Sequence, residues 1–223
     1  MDRSRSSSIL TGTRGMLRMV EGALLLLVRH GATDWLIPPT NRFAGRLPGI
    51  PLNAEGRAEA QAVGRRVTAM PIDRVVSSPL ERTRETAEII GRHVGRPVSV
   101  DERLIETGLG PWEGMAVADV QRRYPEAWRA WRTTPTNVPL IGLEPAGEMA
   151  DRMAACARGA LALGGVTLMV SHQDPILALV CRLLDLPLDT MRRLDISTAS
   201  LTIFEVARGR AVLVTLNSKV PRS

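Results

Sequence analysis

The sequence predicts an α/β protein of three layers, with a mostly parallel central sheet, helices on both faces and a small lid or insert region. Two observations predict this fold. Short apolar runs alternate with segments of helical spacing along the chain, as in strand–helix units around a parallel sheet. Residues 24–28 and 166–170 are apolar almost throughout, which is typical of strands that are covered on both faces.

Six segments are predicted to be strands because they are short and rich in Leu, Val, Ile and Thr. The first four alternate with helices, whereas the last two form a terminal hairpin that turns at residues 208–210. The predicted strands lie at residues 24–28, 74–78, 97–100, 166–170, 200–206 and 211–216.

Four helices are predicted where apolar residues recur at helical spacing. Asn53 is a suitable N-cap for the first helix, Pro79 begins the turn into the second, and alanines with Met153 give the third a close-packing face. The predicted helices lie at residues 54–69, 80–94, 148–163 and 176–184.

Two segments lie outside this strand and helix pattern. Residues 32–51 are rich in Pro, Gly and Arg and are expected to form a long loop over the end of the first strand. Residues 115–147 contain a short helix, a Pro-rich piece, Trp128 and Trp131, and are expected to form a lid. We expect these aromatic residues to pack locally, with a binding platform as the alternative.

The formal net charge of the chain is +6, and three of the six excess charges lie in the first 18 residues, where four arginines stand against Asp2 alone. Aromatic residues make up only 3% of the chain, and no basic stripe is interleaved with stacking residues. The composition therefore argues against nucleic-acid binding. A basic pocket for a small anion explains the remaining charge as well.

The two cysteines, Cys156 and Cys181, show no metal-ligand spacing and lie in apolar, helix-like segments, so we expect buried free thiols in a reducing, cytoplasmic setting. No signal peptide or membrane span is evident. Residues 1–22 are rich in Ser and Arg and are expected to form a disordered tail. Residues 23–223 show no linker-like composition and are expected to fold as one domain.

Two of the three histidines, His30 and His172, directly follow apolar strands. Such strand ends meet at one edge of a parallel sheet, where ligands bind. For a lone Arg-His pair the simpler interpretation is a solvated strand end. However, Arg82 stands in the first helical turn, where a cation opposes the helix dipole; this favours an anion nearby, with a solvated arginine as the alternative. Together with Arg29 and Glu106, these side chains suit phosphoryl transfer.

The sequence resembles the histidine phosphatase superfamily, which includes the cofactor-dependent phosphoglycerate mutases. The resemblance extends from about residue 24 to residue 220. It depends on five blocks in this order: LVRHGATDW at 27–35, PLNAEGR at 51–57, SSPLERTRETA at 77–87, WEG at 112–114 and VSH at 170–172.

The resemblance implies that His30 is the phosphorylated nucleophile, that Arg29, Arg82 and His172 form the phosphate pocket, and that Glu106 gives a proton to the leaving group. It implies no metal and no cofactor, because the arginines and an imidazolium supply the positive charge. The expected substrate-binding residues are Arg29, Thr33, Arg42, Arg82 and Gln173.

These roles require particular protonation states. Neighbouring arginines should lower the pKa of His30 and keep it neutral for attack. His172, if protonated, would act as a cation against the phosphoryl oxygens. Burial and a nearby phosphate should raise the pKa of Glu106 toward neutrality, so that it serves first as an acid and then as a base.

The chain departs from the family pattern at three positions. Leu36 replaces an asparagine that typically reaches the phosphate, and Asn41 can substitute only if the loop folds back. Gln173 replaces a common glycine after the second histidine. The block that begins at Glu106 has no second acidic residue, so the positioning of the acid is the least specified part of the site.

Hydrolysis of a small phosphomonoester through a phosphohistidine is the favoured function, because the insert between Glu106 and His172 is short. Mutases enclose the transferred group under a longer insert, so mutase activity is the second candidate. A non-catalytic phosphate-binding scaffold would be expected to lack the nucleophile or the acid. The physiological substrate stays open, as does the oligomeric state, for which a dimer is one candidate.

Overall fold

The computed structural model describes residues 22–38 and 40–220. The predicted disordered tail, residues 1–22, lies outside the described residues apart from Gly22.

The described strands form one six-stranded sheet in the order β3-β2-β4-β1-β5-β6. The pairs β1–β4, β2–β4 and β2–β3 are parallel, whereas β1–β5 and β5–β6 are antiparallel. The mostly parallel sheet and the terminal hairpin are therefore confirmed. The strands are β1 (Ala23–Arg29), β2 (Arg74–Ser77), β3 (Val98–Val100), β4 (Val166–Ser171), β5 (Leu201–Ala207) and β6 (Arg210–Ser218).

Within the described part of the chain, six α-helices connect and cover the strands. Asn53 caps the first as predicted, because its side chain accepts a hydrogen bond from the Gly56 N–H. The sixth helix begins at Gln173, three residues before the predicted start, since the extended backbone of His172 ends the strand and leads directly into it. The helices are α1 (Ala54–Val67), α2 (Glu81–Val94), α3 (Val117–Arg123), α4 (Pro125–Thr133), α5 (Ala146–Ala162) and α6 (Gln173–Leu183).

Strand β1 explains why the first apolar run has no alternation. Leu26 and Val28 pack into the core that contains residues of α1 and α2, whereas Leu25 and Leu27 pack into the core that contains residues of α5 and α6. Successive side chains of a strand point to opposite faces, so a strand between two helical layers is apolar at every position. The three-layer prediction is confirmed.

The long loop and the insert contain more structure than the sequence predicted. The long loop predicted at residues 32–51 is confirmed; it contains a short 3-10 turn at Asp34–Leu36 and an isolated bridge between Arg42 and Ala116. The insert has two helices, α3 and α4, rather than one. Its aromatic residues pack locally, as expected, around the buried Trp112.

Both cysteines are buried free thiols. Within residues 22–38 and 40–220, no helix combines the length and the apolar character that crossing a membrane requires.

Candidate active site

The two strand-end histidines lie side by side because β1 and β4 are parallel neighbours in register, with Arg29 opposite Ser171. The pairing extends one residue further, since the His30 N–H donates to the carbonyl oxygen of Ser171 at 3.0 Å. The rings of His30 and His172 approach edge to face, with their centroids 5.2 Å apart. The structure therefore confirms that both histidines reach one edge of the sheet.

Two arginines complete this edge, and each is held by a single backbone carbonyl. Arg82 on α2 is only 1% exposed, and its Nη2 donates to the Gly45 carbonyl at 2.7 Å. The Nη1 of Arg29 donates to the Ile196 carbonyl at 2.6 Å. The position of Arg82 in the first turn of α2 is thus explained by tertiary contacts that bury it.

The unpaired donors of the site converge on one place. Among the described residues, five buried side-chain polar atoms lack a hydrogen-bond partner. Four of them belong to this cluster: Nε of Arg29, Nε and Nη1 of Arg82, and Nδ1 of His172. Leaving a buried donor unpaired costs about 1–3 kcal/mol, and more for a charged group. Such a concentration of unpaired polar atoms, three of them on guanidinium groups, is typical of an anion-binding pocket.

His30 has the tautomer and the protonation state of a nucleophile. Its Nδ1 lies 2.8 Å from the Gly31 carbonyl oxygen, so this nitrogen holds the proton and Nε2 keeps a free lone pair. Burial lowers the pKa of His30 well below its usual value, and Arg82 and Arg29 lower it further. The predicted direction is confirmed, although burial is the larger cause.

The sequence left the protonation state of His172 open. Burial lowers the pKa of His172 well below its usual value, with further lowering by Arg82 and His30. This shift favours the neutral ring. Its Nε2 lies 2.8 Å from the Ser78 Oγ, and its unpaired Nδ1 is buried among the arginines.

Glu106 stands beside the histidines on the loop before α3. Its Oε2 lies 3.7 Å from the Nδ1 of His172, and its Oε1 accepts the Thr107 N–H at 2.8 Å. Burial raises the pKa of Glu106 to about 7, assisted by Asp174 and opposed by Arg82. The predicted shift toward neutrality is confirmed, and it makes Glu106 competent both to give and to take a proton near neutral pH.

The backbone of Glu106 is held by two arginines to which the sequence assigned no role. The Glu106 carbonyl accepts from the Nε of Arg46 at 2.8 Å and from the Nη2 of Arg152 at 3.2 Å. Both arginines pair with Glu144. This network supplies the positioning that the short Glu106 block left unspecified.

A cavity of about 150 Å³ is lined by Arg29, His30, Arg82 and Glu106, whereas the fully buried His172 is not among its lining residues. The predicted substrate-binding residues Thr33, Arg42 and Gln173 all line it. Arg42 is exposed and its Nη1 donates to the Gly114 carbonyl at 2.8 Å. The loop folds back as the substitution by Asn41 requires, since the Arg42 N–H donates to the Trp35 carbonyl at 2.8 Å. The apolar wall consists of Leu36, Phe43, Leu109, Val117 and Trp131.

The acidic residues of the sequence blocks hold the loop that forms this cavity. Glu81 and Glu85 on α2 accept the N–H groups of Gly49 and Leu52 at 3.0 Å each. Glu113 accepts the Arg46 N–H at 3.0 Å. These contacts fix the loop in a position where the Gly45 carbonyl accepts a hydrogen bond from Arg82.

Two glycines of different blocks are in contact. A methyl group added to Gly31 would overlap the backbone of Gly56, and one added to Gly56 would overlap the backbone of Ala32. The start of α1 therefore packs directly against the chain that follows His30. This contact gives a physical reason for glycine in both blocks.

Sequence reasoning missed three residues of the site. Ser78 fixes the ring of His172 and could have been found, because it lies inside a quoted block. Asp174 follows Gln173 directly and lines the cavity. Arg192 pairs with Asp174 through two contacts of 2.7 Å, and no signal in the sequence pointed to it.

Among residues 22–38 and 40–220, no group of three or more His, Cys, Asp or Glu side chains has an arrangement that could hold a metal ion. The cationic donors of the cluster are instead guanidinium groups.

The fold and the site define an α/β protein with a cationic anion pocket at the carboxyl edge of a parallel sheet, beside a neutral histidine and an acid. The model of the histidine phosphatase superfamily (branch 1) matches residues 25–219. The chain belongs to this superfamily.

Relatives within the family include both phosphatases and mutases. Phosphoserine phosphatase 1 of Hydrogenobacter thermophilus is 30% identical over 86% of this chain and 91% of its own length. A protein of Salmonella paratyphi A named probable phosphoglycerate mutase is 35% identical over 79% of this chain and 81% of its own length. The solved structure of a mycobacterial glucosyl-3-phosphoglycerate phosphatase with VO3 is 31% identical, with a TM-score of 0.82 over 88% of this chain and 100% of that chain.

Proposed function

We propose that the protein hydrolyses a small phosphomonoester through a phosphohistidine intermediate without a metal ion. The observation that supports this most directly is the set of four unpaired buried donors from Arg29, Arg82 and His172 around the neutral His30. These donors can form hydrogen bonds to the oxygens of a phosphoryl group and so stabilise its negative charge. Such stabilisation is the main requirement of phosphoryl transfer.

In the proposed first step, the Nε2 of His30 attacks phosphorus and the bond to the ester oxygen breaks. The leaving oxygen takes the proton of Glu106, which is partly protonated near neutral pH because its pKa is about 7. In the second step, the Glu106 carboxylate takes a proton from water, and the oxygen of this water attacks phosphohistidine. His30 is released together with orthophosphate, and Glu106 is protonated again.

The unpaired nitrogens of the arginines and of His172 face the phosphoryl oxygens in both steps. His172 is neutral in the free site, so its contribution there is a hydrogen bond rather than a full positive charge. The dianionic phosphate favours the protonated ring and raises the pKa of His172 on binding. We assign Thr33, Arg42 and Gln173, which line the same cavity, to contact with the substrate.

Hydrolysis is favoured over phosphoryl transfer between substrates because the insert is short and its two helices, α3 and α4, span only 7 and 9 residues. A mutase must retain its transferred group under a cover that excludes water. Two relatives bear names of phosphatases for phosphoserine and for glucosyl-3-phosphoglycerate. Small phosphorylated metabolites are accordingly the substrate class that we propose.

We also propose that residues 23–223 act as one histidine phosphatase domain. A cytoplasmic setting is supported by the two buried free thiols, Cys156 and Cys181, which persist as thiols in a reducing compartment.

The test is hydrolysis of p-nitrophenyl phosphate together with a mutase assay on phosphoglycerate in the same preparation. His30→Ala should abolish hydrolysis, and the wild type should trap acid-labile phosphate on His30. His93→Ala is the matched control, because His93 is the remaining histidine and its Nε2 bonds to Gln61 on α1, outside the cavity. Full activity of His30→Ala would overturn the mechanism, and dominant mutase turnover would favour the second candidate.

A further inference from the structure

The side chain of Arg192 is largely buried, and each nitrogen of its guanidinium group has a partner. It lies in the 3-10 turn Leu188–Arg193, and its side chain is only 8% exposed. Nη1 and Nη2 each lie 2.7 Å from one carboxylate oxygen of Asp174. Nε donates to the Trp131 carbonyl at 2.7 Å, and the guanidinium carbon stacks 4.0 Å from the centroid of the Trp131 ring.

Arg192 thus connects two walls of the cavity without lining it. Asp174 and Trp131 both line the cavity, whereas Arg192 does not. Asp174 belongs to the first turn of α6, two residues after His172, and Trp131 belongs to α4 of the insert. The contacts of Arg192 therefore fix the end of β4 relative to the insert.

Asp174 lines the same cavity as Arg29 and His30. Burial lowers the pKa of Arg29, and the carboxylates of Glu106 and Asp174 oppose this lowering. Asp174 also raises the pKa of Glu106. A carboxylate and a phosphate bind the same guanidinium donors in the same bidentate manner. An unrestrained Asp174 would therefore compete with phosphate for the unpaired Nε of Arg29.

We propose that Arg192 is a positioning residue that holds both oxygens of Asp174 and so prevents this carboxylate from occupying the phosphate site as an internal competitor. This role rests on the proposed function, since the competing anion is the phosphate of the substrate. Because Arg192 neutralises the Asp174 carboxylate, the phosphate end of the cavity stays cationic. The stacking against Trp131 fixes the opposite wall.

The proposal predicts a rescue that a purely structural role does not. Arg192→Gln frees Asp174, so the affinity for inorganic phosphate should fall by about tenfold, within the usual coupling between charged residues in contact. The double variant Arg192→Gln/Asp174→Asn has no competing charge and should recover to within about threefold of the wild type. Arg193→Gln is the matched control, because it makes the same charge change at the exposed neighbouring residue.

Phosphate affinity is measured by isothermal titration calorimetry and as competitive inhibition of p-nitrophenyl phosphate hydrolysis, and thermal melting shows that each variant is folded. If Arg192→Gln does not fold, Arg192→Lys replaces it in both the single and the double variant, because lysine keeps the charge but loses the bidentate geometry. Asp174→Asn alone leaves Arg192 unpaired and should bind phosphate at least as tightly as the wild type.

Three results would overturn the proposal: unchanged phosphate affinity in the Arg192 variant, no recovery in the double variant, or weaker binding by Asp174→Asn alone. Failure of the proposed function has a different signature. In that case the wild type itself neither binds phosphate nor hydrolyses p-nitrophenyl phosphate. An active wild type whose affinity is insensitive to Arg192 would leave the proposed function intact and remove only the role of Arg192.

Discussion

The Nδ1 atom of His172 lies 3.7 Å from the Oε2 atom of Glu106, while the other ring nitrogen lies 2.8 Å from the Ser78 Oγ. Because the low pKa of His172 keeps the ring neutral in the free site, only one nitrogen has a proton. If the Ser78 hydroxyl donates to Nε2, the proton is on Nδ1 and faces the acid and the anion pocket. Ser78 then selects the tautomer that the site needs.

Replacing Ser78 tests this relationship. Ser78→Ala removes the donor to Nε2 and allows the ring to place its proton on the wrong nitrogen. A hydrogen bond of this kind contributes about 1 kcal/mol, which corresponds to a loss of roughly fivefold in kcat/KM on p-nitrophenyl phosphate. Ser99→Ala on strand β3 is the matched control, since Ser99 bonds only to the Val75 carbonyl outside the cavity. Equal rates in both variants would refute the role of Ser78.

The acid role of Glu106 predicts a dependence on both pH and leaving group. Since its pKa is about 7, kcat/KM for an alkyl phosphate should fall as the pH rises through that value and the proton is lost. Glu106→Gln should slow the alkyl phosphate by about 100-fold or more, but p-nitrophenyl phosphate much less, because an activated phenol needs little protonation. The exposed Glu102→Gln is the control. An equal loss on both substrates would exclude Glu106 as the acid.

The raised pKa of Glu106 also predicts how the stability of the fold changes with pH. The folded state raises the pKa of Glu106 from 4.5 to about 7, so it holds this proton more tightly than the unfolded chain does. The contribution of Glu106 to stability is therefore lost as the pH rises between those two values. The free energy of unfolding of Glu106→Gln minus that of the wild type should therefore be larger at about pH 8 than at about pH 5. Urea unfolding at both values measures this difference, and a constant difference would contradict the shift.

The low pKa values of His30 and His172 change stability with pH in the opposite direction to Glu106. Their unfolded rings take up protons below the usual value of 6.5, whereas the folded rings do not. Stability from these two groups is lost as the pH falls below 6.5. Comparison with Glu106→Gln isolates the Glu106 contribution, because the two histidines are present in both proteins.

Arg82 should account for most of the stabilisation of the fold by phosphate. Its Nε and Nη1 are buried without a partner, so phosphate binds the folded state and should raise the melting temperature of the wild type. Arg82→Met should lose most of this rise. In phosphate-free buffer the variant should melt close to the wild type, because a desolvated cation has been removed.

Arg84→Met serves as the control for Arg82 on the same helix, since Arg84 is exposed and paired only with Glu88 at 3.8 Å. It should keep the full phosphate response. A normal response in Arg82→Met would contradict the anion pocket.

The contact between the two motif glycines predicts a stability difference. Gly56→Ala should lower the free energy of unfolding by about 1–3 kcal/mol or more, because the added methyl overlaps the backbone of Ala32. Gly159→Ala, on α5 where a methyl meets nothing within 4 Å, should be neutral or stabilise by up to about 1 kcal/mol. Urea unfolding measures both. A Gly56 variant as stable as the Gly159 variant would show that the backbone relaxes at no cost.

Much of the site could be predicted from the sequence because strand ends are local features. A buried strand followed by a histidine places that side chain at the sheet edge, and this happens at both His30 and His172. The direction of the pKa shift of Glu106 also followed from its apolar neighbours. By contrast, the sequence left the protonation state of His172 open, because complete burial, which is the main cause of its lowered pKa, is a tertiary property.

The sequence by itself determined the fold class, the two strands that deliver histidines and the sheet edge where they meet. Periodicity and turn residues encode those features within a few positions of the chain. Only the tertiary structure decided the environment of the site. The Ser78 contact with His172, the arginine network behind Glu106 and the pairing of Arg192 with Asp174 join residues 18 to 94 positions apart, and no local pattern specifies which distant side chain will lie beside a buried charge.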